Sequence, residues 1–119
     1  MASRTLATSF KVAWNGIRYA ITTQRNFRIH AAVGVSVIGL SALIGLNQVE
    51  WAVILIMIAL VVSAELINTS VEVIVDRLSR EHHEAAGIIK DLAAAAVLIS
   101  CFMAVLVGCC VILPHLVKA

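Results

Sequence analysis

Three apolar segments set the limits on this chain: Phe27 to Leu46, Trp51 to about Val75, and Leu92 to Leu113. Each approaches the roughly 20 residues that a helix needs to cross a hydrocarbon core of about 30 Å. Composition agrees: 61% of the 119 residues are hydrophobic and only 13% are charged, whereas soluble domains are nearer a quarter charged. The expected fold is an all-α membrane protein in a single membrane-embedded domain, residues 1–119, with a surface helix over 1–25 and spans at 27–46, 51–75 and 92–113. There is one proline, Pro114, no low-complexity linker and no internal repeat. The N-terminus lacks the short apolar core and cleavage site of a signal peptide. A net charge of +2 gives no reason to expect a nucleic-acid partner.

Orientation follows from the basic residues. Arg4, Lys11, Arg18, Arg25 and Arg28 precede or open the first span, and Arg77, Arg80 and Lys90 lie between the second and third. The 47–50 turn has none, and Lys118 stands alone near the C-terminus. The positive-inside rule places the N-terminus and the 77–91 loop in the cytoplasm, and the 47–50 turn and C-terminus outside. The first 25 residues are too polar to span. Leu6, Phe10, Ala13, Trp14, Ile17 and Ile21 recur at helical spacing, with basic residues seven apart along another side. That pattern fits an amphipathic helix on the inner leaflet, drawn there by anionic lipid. It serves either as an anchor alone or as a cover over an interfacial site.

The second span turns polar in its last third. Glu65, Asn68, Glu72 and Asp76 follow one another at intervals of 3, 4 and 4, one stripe on a helix. Carboxylates at membrane depth are expensive and usually functional. With the helix entering near Glu50, Glu65 lies about 22 Å along it, near the cytoplasmic interface, and Glu72 about 10 Å further, at the inner headgroups. A lipid hydroxyl would meet Glu65, and a water-soluble phosphate donor would reach only the Glu72–Asp76 end. Phosphoryl transfer needs a group to take the hydroxyl proton and a metal ion to neutralise phosphate charge, and carboxylates serve both needs. The same stripe also suits a proton or cation carrier, or a non-catalytic assembly protein whose helices it glues together. Against a carrier, the outer halves of the spans hold almost no polar residue besides Ser41 and Ser100. In the following loop, Lys90 suits a phosphate contact, and Asp91 suits metal binding or a pairing with Lys90. His82 and His83 are adjacent, which is no recognised zinc spacing, and there is no phosphate-binding glycine-rich loop.

The residues Glu65-Leu66-Ile67-Asn68-Thr69 with Glu72 and Val75-Asp76, then Glu81-His82-His83 and Lys90-Asp91, together with "WNGIRYA" and "RNFRIH", resemble the small prokaryotic integral-membrane diacylglycerol kinase family and its undecaprenol kinase branch. The resemblance covers most of the chain. It implies an ATP- and Mg²⁺-dependent lipid kinase of the prokaryotic inner (plasma) membrane, working at its cytoplasmic face as a homotrimer with shared sites. By the same resemblance Glu65 is the general base toward the lipid. Asn68, Trp14 and Arg18 serve the lipid end. Glu72, Asp76, Glu81, His83, Lys90 and Asp91 surround the nucleotide, and Glu72 ligates Mg²⁺. The family usually has a glutamate three residues before the phenylalanine of its motif, as a second metal ligand; here Gln24 precedes Phe27. An amide oxygen still ligates Mg²⁺ but brings no charge, so weaker metal binding is expected there, or compensation by a carboxylate such as Asp91.

The remaining features read as structural. Cys101, Cys109 and Cys110 lie in the third span as small core or lipid-facing residues. Ala93 to Ala96 would let helices approach, Trp51 anchors at the outer interface, and His30 is expected to be hydrogen-bonded rather than catalytic. Arg25 and Arg28 snorkel to headgroups.

Overall fold

The computed structural model describes residues 5–78 and 84–118. They form four helices: α1 (Leu6–Thr23), α2 (Arg25–Ile44), α3 (Gln48–Leu78) and α4 (Glu84–Val117). The all-α expectation holds, and α2, α3 and α4 are each long and apolar enough to cross a membrane. α3 and α4 run beyond the apolar segments at both ends. At 1.5 Å per residue, the 31 residues of α3 extend about 46 Å, well past a bilayer core.

The sequence sets each boundary by local chemistry. Thr5 caps α1, its hydroxyl accepting from the Thr8 amide at 3.2 Å. Gln24 separates α1 from α2 by taking an extended conformation. α2 stops at Gly45, whose φ of 82° is the left-handed conformation that only glycine adopts without penalty. α3 opens on a reciprocal cap: the Asn47 amide donates to Glu50 Oε1 at 3.0 Å, and the Glu50 amide donates to Asn47 Oδ1 at 2.9 Å.

α4 packs along α3, α2 packs against α3, and the three enclose a shared cleft. Gly34 allows the α2–α3 approach, because a Cβ there would lie 3.1 Å from Ile58 Cγ2. The alanine run does not play the part expected of it within the chain: Ala94, Ala95 and Ala96 are exposed. α1 borders a groove against α3, lined on its side by Ala13, Ile17 and Ala20, while Leu6, Phe10 and Trp14 on its apolar side face outward. An exposed apolar stripe on a basic helix suits the headgroup region.

Candidate functional site

The inward face of α3 begins apolar and ends charged. Its buried residues are Ile54 and Val61, then Glu65, Asn68 and Thr69. The stripe then emerges: Glu65 is 3% exposed and Asn68 8%, Glu72 is half-buried, and the Asp76 side chain is 64% exposed. A single straight helix therefore carries a carboxylate from a water-poor to a water-rich setting in three turns. Asn68 links the two, its Nδ2 donating to Glu72 Oε1 at 3.2 Å. Among the described residues, Asn68 Oδ1 is buried without a hydrogen-bond partner, which leaves an acceptor open there. The Thr69 hydroxyl turns back onto the Glu65 carbonyl at 3.0 Å.

At the exposed end, Lys90 Nζ donates to Asp76 Oδ1 at 2.8 Å and ties α4 to α3. Lys90 thus pairs with Asp76, not with its neighbour Asp91, which is exposed. Both residues of the pair lie outside the apolar segments. The hydrogen bond to Asp76, with its charge, raises the Lys90 pKa above its ordinary value. Gln24 sits at the α1–α2 joint, with Nε2 3.3 Å from Thr23 Oγ1. Trp14 and Arg18 are exposed on α1, beside the row that faces α3. Glu81 and His83 lie outside the described residues.

At the buried end the structure adds two residues that spacing along α3 could not supply. His30 of α2 places Nε2 3.9 Å from Glu65 Oε2, and Cys101 of α4 places Sγ 3.9 Å from each ring nitrogen of His30. The three spanning helices thus meet at Glu65. An available signal was His30 itself, a polar residue in an apolar segment on the same face as Gly34. From His30 and Cys101 an apolar cleft of about 460 Å³ runs between α2, α3 and α4 toward Ile112 and Leu113. The arrangement offers an apolar slot that ends at His30, with the buried Glu65 carboxylate beyond that ring and a path of polar groups from there to water.

Residues 11–112 match the family described as prokaryotic diacylglycerol kinase. The chain is 46% identical to a diacylglycerol kinase of Synechocystis sp. over 114 residues, which cover 95% of this chain and 65% of that relative. It is 37% identical to the undecaprenol kinase of Bacillus subtilis over 91% of this chain and 88% of the relative. It is 28% identical to the diacylglycerol kinase of Escherichia coli over 87% and 84% respectively. The chain therefore spans just under two thirds of the Synechocystis protein and most of the other two.

Proposed function

The chain belongs to the prokaryotic diacylglycerol kinase family, and on that premise we propose that it is an ATP- and Mg²⁺-dependent lipid kinase phosphorylating a membrane lipid hydroxyl at the cytoplasmic leaflet. The observation that carries this reading is the burial gradient along α3. A phosphoryl transfer from a water-soluble donor to a lipid needs one end of its site dry and the other wet, and Glu65 to Asp76 spans that change within one element.

In this reading the lipid chain lies in the apolar cleft and its hydroxyl reaches Glu65. Glu65 accepts the hydroxyl proton as the oxygen attacks the γ-phosphorus, and ADP leaves toward the water side. Asn68 Oδ1 accepts from the substrate, while its Nδ2 keeps Glu72 in register with Glu65. Trp14 and Arg18 flank the lipid end. Asp76, Glu81, His83, Lys90 and Asp91 surround the nucleotide, with Lys90 reaching phosphate from its seat on Asp76.

A metal in this reading would arrive with the nucleotide. Among the described residues no three His, Cys, Asp or Glu side chains gather into a metal site. Mg²⁺ typically takes only one or two carboxylates and completes its shell with phosphate oxygens and water. Glu72 and Gln24 would hold it, and when bound it supplies neutralisation of the phosphate charge.

The same reading places the protein in a prokaryotic plasma membrane with its N-terminus in the cytoplasm and its C-terminus outside, as a homotrimer. The related chains carry both diacylglycerol and undecaprenol in their names, and either hydroxyl suits the depth of Glu65.

The test is Mg²⁺-dependent transfer from labelled ATP in lipid, with diacylglycerol and undecaprenol offered side by side. Labelled lipid is expected, and the product ratio identifies the acceptor. Glu65→Gln should lower turnover about 10²–10⁴-fold, the usual worth of a positioned general base, with assembly intact. Loss of assembly instead of turnover would make the stripe a packing device.

A further inference from the structure

We infer that His30 is a positioning residue for Glu65, its imidazole fixing the carboxylate that meets the lipid hydroxyl. The catalytic consequence rests on the lipid-kinase reading; the pairing itself does not.

The Glu65 side chain is 4% exposed. A carboxylate so placed is costly unless a polar or cationic group answers it. Among the described residues, His30 is the basic side chain within 4.0 Å of it. The other groups packed against α3 there do not compete. α4 contributes the Cys101 thiol, which contacts His30. α3 itself offers Asn68 and Glu72, already bonded to each other. α1 lines the far flank, where Tyr19 and Arg77 border the groove.

The distance of 3.9 Å is longer than a hydrogen bond. Such bonds are often long in substrate-free structures and tighten when the substrate arrives. The Cys101 sulfur lies 3.9 Å from both ring nitrogens, at the outer limit for a contact by sulfur, a weak hydrogen-bonding group that competes poorly with a carboxylate for Nε2. The backbone delivers the ring. Phe27, His30, Gly34 and Ser41 form the inward row of α2, and Gly34 against Ile58 brings the two helices together one turn from His30. That row is a second-helix support for a group that α3 alone cannot orient.

The experiment has two arms on the full-length protein in lipid bilayers. The first is a solid-state NMR distance between the Glu65 carboxyl carbon and the His30 ring nitrogens, with the ring nitrogen shifts compared in wild type and Glu65→Gln. A separation of hydrogen-bond order, and a ring shift that moves in Glu65→Gln, are expected; a ring unaffected by Glu65→Gln overturns the pairing. The second is lipid kinase turnover. His30→Leu should lower kcat about 10–100-fold, as misplacement of a reacting group does, with the KM for ATP unchanged. His30→Gln, which keeps an N–H donor, should recover most of the loss. Equal losses in both variants, or a loss confined to KM, overturn the positioning role. If His30→Leu fails to assemble, His30→Gln against wild type decides: near-normal kcat supports the role and a kcat as low as that of Glu65→Gln overturns it. A wild-type protein that shows the NMR contact but transfers no phosphate sinks the kinase reading and the positioning role built on it, leaving only the pairing. Turnover without the contact sinks the pairing and leaves the kinase reading standing.

Discussion

At Gln24 the chain leaves α1 and enters α2 in extended backbone, and a neutral amide stands where the family motif usually carries a carboxylate. If this amide ligates Mg²⁺ beside Glu72, Gln24→Glu adds a charge to the shell and should lower the Mg²⁺ concentration that gives half-maximal turnover. A titration of activity against Mg²⁺ checks this, and an unchanged midpoint places Gln24 outside the shell. The residue scale also shows what a sequence reveals unaided. Glu65, Asn68, Glu72 and Asp76 were legible because they share one helix, where periodicity alone decides who faces whom. His30 was not, because its place beside Glu65 depends on the register of α2 against α3, which rests on contacts such as Gly34 with Ile58. Lys90 went to Asp76 instead of Asp91 for the same reason: the choice is made by how α4 packs on α3.

Among the elements, α3 has the most explicit beginning. The Asn47–Glu50 cap satisfies amides that the first turn leaves open, and His115 Nε2 of α4 donates to Glu50 Oε2 at 2.9 Å. Glu50 precedes the apolar segment that starts at Trp51. The backbone bond at Asn47, and then His115, hold its carboxyl below the ordinary value of 4.5. A depressed carboxylate stabilises the fold above its unfolded pKa and loses that contribution as pH falls through the folded one. Thermal unfolding in detergent should therefore drop on acidification below pH 4.5, and the drop should be smaller in Glu50→Gln. At neutral pH Asn47→Ala should cost about 1 kcal/mol, the usual worth of a cap. The sequence reads as a turn over 47–50, whereas Gln48 to Glu50 are the first turn of α3, which Asn47 with Glu50 caps. The His115 contact joins residues 65 apart and needed the antiparallel α3–α4 pair to be seen.

The whole molecule measures 56 × 39 × 21 Å, and its three long helices leave a cleft between α2, α3 and α4. Lys90 turns to Asp76 of its own chain, and Asp91, about 100° further round α4, is exposed; in the proposed trimer it would be free to serve a neighbour's site. Mixed assemblies of two inactive variants, Glu65→Gln and Asp91→Asn, should then regain about a quarter of wild-type turnover if protomers join at random in a closed ring; sites complete within one protomer would regain none. The last consequence comes from α3, which runs from Gln48 to Leu78 without a break. In such a rod a change of length is a change of direction. One codon added between Glu65 and Glu72 would swing everything beyond it by about 100° and carry Glu72 and Asp76 off the face that holds Glu65. Such an insertion should abolish turnover, whereas one in the turn at Gly45 to Asn47, outside the rod, should leave the stripe's register intact.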